Sequence, residues 1–312
     1  RPVLLGLDDI NAAGTAVAIF AESQKVMHRA ERGEERIENA FGGFAAIGQA
    51  HRLGSNPKTP AYHGLTQITN GRPNWTGKVS LVESALDWPL HRRKPLRIFV
   101  NSMSDLFHES VEVDYIKLIL KICAACPQHT FQILTKRAAR MRSVMDSFRN
   151  CDAFGDSWAR RMMQQFPQVK SLWVSMDAAI AIRSASWGFP IPNVWLGVSC
   201  EDQKTANERI PELLATPAAV RWVSLEPLLG HMALRPSSLS GYELRDGYKV
   251  SDPESNWGRQ DATAKLNWVV VGGESGRAAR PMHPVWARSL RDQCGEIAPG
   301  VDCLERLALY GR

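Results

Sequence analysis

The sequence predicts an α/β fold, a partial or full parallel (β/α) barrel. Three observations predict it. Short apolar strands recur from residue 96 onward, at Ile98-Phe99-Val100, Phe131-Gln132-Ile133-Leu134, Val194-Trp195-Leu196-Gly197-Val198, Trp222-Val223-Ser224-Leu225 and Trp268-Val269-Val270-Val271. Helical segments follow most of them, and an alternation of strand and helix builds a parallel sheet through right-handed crossovers. Each strand also runs directly into a polar cluster. The carboxyl ends of parallel strands share one face, and α/β folds bind their ligands there. A flat doubly wound sheet is the alternative arrangement of the same elements.

Taken in order, residues 1–60 form an atypical amino-terminal region. Ala12 to Ala21 is small and apolar, Glu22 to Glu38 is charged, and Phe41-Gly42-Gly43-Phe44 breaks it. Residues 51–78 are rich in Gly, Pro, Asn and Thr and read as loop. Leu81 to Leu90 has helical spacing. Strand 96–101 precedes a helix near 112–126, and strand 130–135 precedes a helix near 137–148. Residues 150–192 interrupt the rhythm and read as an insertion. It contains an amphipathic segment from Trp158 to Phe166 and a strand at Leu172-Trp173-Val174. Strand 194–199 precedes a helix near 203–215, and strand 221–225 follows. Residues 229–264 are polar and read as a long loop or small hairpin. Strand 267–271 precedes a helix near 284–294, with Pro284 suited to its first turn. The reading is one barrel-like domain over 1–312.

Composition sets outer limits. The chain has 312 residues, 44% hydrophobic and 22% charged, enough for a substantial core. Its net charge of +6 and pI near 9.1 are compatible with a polyanionic partner, and the local clusters at His91-Arg92-Arg93-Lys94 and Lys136-Arg137 read first as solvated basic surface. The six cysteines form no disulfide framework, which fits a reduced cytoplasmic setting. Cys123 and Cys126 lie inside an apolar helical run and read as buried structural thiols. No apolar run reaches the roughly 18 residues that span a bilayer, so no membrane association is expected. Arg1-Pro2-Val3-Leu4-Leu5 mimics a signal peptide, but Asp8 and Asp9 interrupt it.

The polar clusters carry the candidate chemistry. Asn101, Ser102, Asp105, His108 and Glu109 follow the first strand, and Asp105 and His108 suit acid/base work. A capped loop-to-helix entry is the structural reading of the same residues. Lys136 and Arg137 follow the second strand and suit a carboxylate or phosphate. Glu201 and Glu226 end two further strands. They suit an amine, a ribose hydroxyl or a metal, or else salt bridges to Arg209, Arg221 or Arg280. Gly272, Gly273, Glu274, Ser275 and Gly276 follow the most apolar strand, and glycines there permit close backbone approach to a ligand. The spacing is neither a dinucleotide fingerprint nor a Walker A loop. No Gly-x-Ser-x-Gly elbow and no zinc-type Cys/His cluster occurs.

The stretches IFVNSMSDLFHES (98–110), HTFQILTKRAARM (129–141), PNVWLGVSCEDQ (192–203), RWVSLEPLLG (221–230) and WVVVGGESGRAARPMHPVWARSLRDQC (268–294) closely resemble the phage gene product 37 / gene product 68 family. YHGLT (62–66) and NWTGKVSL (74–81) are similar to its upstream segments. The resemblance covers roughly residues 60–295. It implies a radical S-adenosylmethionine-like, TIM-like partial barrel with a [4Fe–4S] cluster held by three cysteines of an amino-terminal motif. The matching stretch here, Asp9 to Ala21, holds no cysteine, and none precedes Cys123. The chain also begins with Arg, and its tail departs from the family pattern. A frameshifted or degenerate gene would give that pattern, as would a cluster-free relative. The resemblance therefore implies a phage-associated enzyme of unknown substrate that is cluster-deficient as written. By that analogy Glu226, Gly272, Gly273, Glu274 and Ser275 contact S-adenosylmethionine or substrate. Asn101, Ser102, Asp105, His108, Lys136 and Glu201 line the cavity. A cluster-independent barrel enzyme and a non-catalytic protein binding nucleic acid or another phage partner are the rival readings.

Overall fold

The computed structural model describes residues 16–17, 50–57, 62–81, 86, 88–101, 104–149, 164, 189–235, 243–245, 248–250, 264–274, 279–297 and 302–306. Its spine is a six-stranded sheet: β1 (Arg97–Val100), β2 (Thr130–Thr135), β3 (Val194–Ser199), β4 (Val220–Leu225), β5 (Trp268–Gly272) and β6 (Asp302–Arg306). Every neighbouring pair is parallel, and the order across the sheet is β6-β5-β4-β3-β2-β1. Strands adjacent in sequence are adjacent in space throughout. A doubly wound sheet reverses its order at a switch point; this one never does, and it curls into a half-barrel. Four helices belong to the crossovers: α1 (Val113–Ala125), α2 (Ala138–Arg149), α3 (Gln203–Ala215) and α4 (Pro284–Ile297).

The two faces of the sheet are built differently. Side chains alternate along a strand, and the odd and even sets here fall into separate clusters. Ile98, Val100, Phe131, Ile133, Val194, Leu196, Val198, Val223, Leu225, Val269 and Val271 join the main core with Leu, Ile and Met residues of the helices. Phe99, Leu134, Trp222, Trp268 and Val270, with Trp195 against them, form a second cluster on the opposite face. This inner cluster is aromatic. Trp222 and Trp268 have ring centroids 5.2 Å apart, and Phe99 meets Trp222 edge-on at 6.2 Å, arrangements that add to plain burial. Gly197 pairs in register with Trp222. A Cβ at 197 would overlap the indole, which lies directly over the glycine. Glycine is therefore required in a strand that would otherwise favour a branched residue.

Local signals explain the helices. Asp202 caps α3 by accepting from Thr205 N at 2.8 Å, and the Thr205 hydroxyl returns to the Asp202 N–H at 3.1 Å. That is a capping box with Thr in the third position. The cap hydrogen bond from the Thr205 backbone also draws the Asp202 carboxyl below its ordinary value. α1 is buried from Tyr115 through Ala124. At its carboxyl end, the Asn193 amide nitrogen lies within 3.0 Å of the carbonyls of Cys123, Cys126 and His129. The Cys123 and Cys126 carbonyls also accept from the backbone N–H groups of Cys126 and His129, so Asn193 adds a second donor to each. Pro284 occupies the first position of α4, as expected, and the helix runs on to Ile297.

The structure departs from the sequence reading in three places. The expected loop at 51–78 contains a helical turn reaching 54 and an antiparallel hairpin, Thr66–Thr69 with Arg72–Trp75. The expected helical stretch 81–90 gives, among its described residues, only a 3₁₀ turn at Trp88–His91. β6 was not expected at all. Within 229–264 a small hairpin joins Glu243–Arg245 to Tyr248–Val250. Ala16–Val17 pairs parallel with Ser80–Leu81. The remainder of residues 1–49, and the amphipathic and strand segments expected within 150–192, lie outside the described residues.

Two predictions follow from the packing. Gly197→Ala should lower stability by about 2 kcal/mol, because the buried indole must move to admit a methyl group. Urea unfolding checks this, and a change under about 0.5 kcal/mol would show that the indole yields freely. The second concerns His129, which is buried between segments. Its Nδ1 accepts from Leu96 N at 3.2 Å and its Nε2 donates to the Pro89 carbonyl at 3.1 Å, so the ring is neutral. Burial lowers its pKa from the ordinary 6.5. The unfolded state then binds the proton more readily than the fold does. The neutral ring's contribution is complete above the ordinary value and is lost as pH falls below it. Unfolding midpoints of the wild type should drop between pH of about 7.5 and about 5.5 by more than those of His129→Gln.

Candidate functional site at the carboxyl ends of the strands

The ends of β3 and β4 carry the same four-residue pattern, Val198-Ser199-Cys200-Glu201 and Val223-Ser224-Leu225-Glu226. Ser199 and Ser224 pair in register. Each serine hydroxyl bonds the glutamate two residues on, Ser199 Oγ to Glu201 Oε1 at 3.2 Å and Ser224 Oγ to Glu226 Oε2 at 3.3 Å. Two carboxylates are thus presented side by side above the aromatic floor. The alternation that turns Trp222 inward carries Ser224 and Glu226 with it.

The two carboxylates have different surroundings. Lys136 Nζ, at the end of β2, forms an ion pair with Glu201 Oε1, and both side chains are largely buried. Arg209 Nη1 of α3 reaches Glu201 Oε2 at 3.3 Å and donates to the Ser199 carbonyl at 2.6 Å. Glu201 therefore ties β2, β3 and α3 together. Glu226 is 5% exposed and folds over Gly272 of β5. A Cβ at 272 would collide with its carboxylate, so this glycine is needed for the approach of Glu226. The Gly272 carbonyl accepts from Leu228 N at 2.9 Å, and the Glu201 carbonyl accepts from Leu229 N at 3.0 Å. The segment after Glu226 is thereby bound to both neighbouring strand ends.

Glu274 leaves this group. Arg280 holds it with Nε at 2.6 Å, Nη2 at 3.0 Å and the backbone N–H at 2.9 Å. The Arg280 hydrogen bonds draw its carboxyl below the ordinary carboxylate range. Gly273 lies between Gly272 and Glu274, and Ser275 is outside the described residues.

Asp105 belongs to a separate structure. It is 2% exposed and accepts from the Thr135 hydroxyl at 2.7 and 2.9 Å, Phe107 N at 2.9 Å, Lys136 N at 3.2 Å and Arg137 Nη1 at 2.9 Å. Arg137 Nε in turn binds both oxygens of Glu109, at 2.8 and 2.9 Å. This is a latch between the segment after β1 and the end of β2. His108 sits against it, its Nδ1 accepting from Ser110 N at 3.1 Å. Burial, then the Arg137 charge, lowers its pKa. The two cations expected to grip an external anion are thus engaged with this chain's own carboxylates, Lys136 with Glu201 and Arg137 with Asp105 and Glu109. Asn101 ends β1 with φ 62°, a conformation Asn tolerates better than most residues. It is 2% exposed, and neither amide atom has a hydrogen-bond partner. Ser102 lies outside the described residues.

Of the expected set, the fold brings Lys136 together with Glu201, and Glu226 together with Gly272. It assigns Asp105 to the latch, with His108 beside it. Ser199, Ser224 and Thr135 were not singled out from the sequence, although the repeated Val-Ser-x-Glu was there to be read; the salt bridge from Glu201 to Arg209 was one of the readings of that glutamate. The described thiols do not fit a [4Fe–4S] cluster. Cys123, Cys126, Cys200 and Cys294 are all buried, and no three of them converge as three cluster-ligating thiolates must. No three His, Cys, Asp or Glu side chains converge on a metal position among the described residues.

The chain matches the family described as a protein of unknown function, DUF5131, over residues 36–301. It belongs to that family. The matched range takes in β1 through β5 and every strand-end residue above. A search of the curated proteins and a search of the solved structures find no match. No helix among the described residues is long and apolar enough to cross a membrane.

One outcome separates a structural role for Asp105 from an acid/base role. Asp105→Ala should cost roughly 3 kcal/mol in a denaturant titration, since Thr135 and the backbone donors lose a buried acceptor. A variant as stable as the wild type would return Asp105 to the list of reactive groups.

Proposed function

We propose that the protein is a radical-SAM-like half-barrel that binds a small, positively charged molecule at the carboxyl ends of its strands. S-adenosylmethionine is the candidate that the family resemblance supplies. The observation that carries the reading is the pair Glu226 and Gly272. A carboxylate is kept nearly buried at the mouth of a parallel sheet, and the neighbouring strand gives up a side chain to admit it. In such low-dielectric surroundings the attraction between a carboxylate and a cationic ligand is stronger than in water. Asn101, at the end of β1, adds a buried side-chain amide that makes no hydrogen bond. Buried polar groups without partners are rare in folded proteins.

Glu226, Gly272 and Gly273 would hold the ligand. Glu201 and Lys136 would form the adjoining wall, and Glu274 would require release from Arg280. S-adenosylmethionine supplies a sulfonium and an ammonium to such a wall. No reaction step is assigned to an iron–sulfur cluster, because the described thiols do not fit one. The likeness to phage gene product 37 / gene product 68 sequences supports a phage-associated, cytoplasmic setting. The latch around Asp105 and His108 weighs against acid/base chemistry by those two groups.

Equilibrium dialysis of the full chain against labelled S-adenosylmethionine tests the reading. Saturable binding is expected, weakened about tenfold or more in Glu226→Gln, the loss of one charge-assisted contact. Absence of saturable binding, or equal affinity in the variant, would overturn it.

A further inference from the structure

The run His91-Arg92-Arg93-Lys94, with Arg97 three residues on, takes no part in the site at the mouth. We infer that this loop is a nucleic-acid contact that grips the phosphodiester backbone without reading sequence. Arg93, Lys94 and Arg97 are exposed, and Arg92 is half-buried with its guanidinium 5.0 Å from the Trp88 ring centroid. None of these four cations forms an ion pair among the described residues. The sequence explains why. No Asp or Glu occurs from Trp88 through Ser104, and none from Tyr115 through Met145, the stretch to which the loop is tied. Four positive charges therefore fall within residues 92–97 with no carboxylate inside either segment; Asp87, just before Trp88, lies outside the described residues.

The loop is held in one shape. Gln128 Nε2 donates to the Arg92 carbonyl at 3.0 Å, and Arg92 N donates to the Pro89 carbonyl at 3.1 Å. His129 bonds Pro89 and Leu96 from its two ring nitrogens, and Thr130 N reaches the Leu96 carbonyl at 2.9 Å. A fixed backbone lowers the entropy lost when cations are ordered on a partner. Three of the four cations are arginines, whose planar fork matches phosphate oxygens. Among the described residues the large exposed apolar side chains are Ile68, Val113 and Val285, none of them in this loop. A bilayer surface normally also takes up apolar side chains, so the patch fits a nucleic-acid backbone better than a membrane. Arg97 opens β1, which puts the loop at the amino ends of the strands, away from the mouth. The inference is independent of whether the mouth binds S-adenosylmethionine.

Fluorescence anisotropy of the full chain with a labelled oligonucleotide of about 20 nucleotides, over a salt series, tests it. Four phosphate contacts should give a slope of log affinity on log salt near roughly −3. The triple variant Arg93→Gln, Lys94→Gln, Arg97→Gln alters exposed side chains only. It should bind at least about tenfold more weakly near about 0.1 M salt and flatten the slope by about 2 units. Arg93→Lys with Arg97→Lys should keep the slope, which separates charge from a folding defect. Three results would each overturn the inference: no binding by the wild type, an unchanged slope in the triple variant, or tighter binding to phosphatidylserine vesicles with the same loss in that variant.

Discussion

The contact between the Trp222 indole and Gly197 governs the interior of the half-barrel. One bulky ring fills the space of two side chains, its own and the one that glycine omits. The inner face is thereby closed at that level by Trp222, Trp268 and Phe99. Ser199 and Ser224 sit opposite each other on the same face, just beyond this floor. Their glutamates come next, at the open end.

Above the floor, electrostatics sorts the carboxylates into roles. Glu201 is a structural joint between Lys136 and Arg209. Asp105 is a joint between Thr135 and Arg137. Glu274 is clasped by Arg280. Glu226 is placed by a glycine on the next strand. This sorting explains why a chain with many acidic residues near its strand ends offers few of them to a ligand. Buried ionic groups of this kind need their partners in place, so the joints also hold the strand ends in mutual register.

Much of the architecture was legible in the sequence. Strands buried on both faces read as largely apolar runs, and β1 to β5 were found that way despite Gln132 in β2 and Arg221 in β4. The helix expected near 203–215, after the strand at 194–199, is α3 with those bounds. The hairpin at 66–75 was hidden by composition, although its Asn70-Gly71 turn, with φ 52° and 74°, is a strong short-range hairpin signal. β6 was missed because Asp302-Cys303-Leu304-Glu305-Arg306 mixes charges into a short run. The site was legible as positions and illegible as partnerships. Asp105 and Thr135 are thirty residues apart, and Glu201 and Lys136 sixty-five, so nothing in the spacing reveals which carboxylate meets which cation. The side-by-side serines and glutamates of β3 and β4 were accessible in principle, since alternation and a shared Val-Ser-x-Glu fix them.

Asn193 has a consequence for how this architecture can change over evolutionary time. It fastens the start of β3 to the end of α1 through three carbonyls, and its own carbonyl accepts from Phe131 N at 2.8 Å. The strand's entry point is therefore set by its immediate neighbours rather than by the chain arriving from α2. The stretch between Arg149 and Phe189 is thus a place where lineages can gain or lose sequence without shifting a single rung of the sheet.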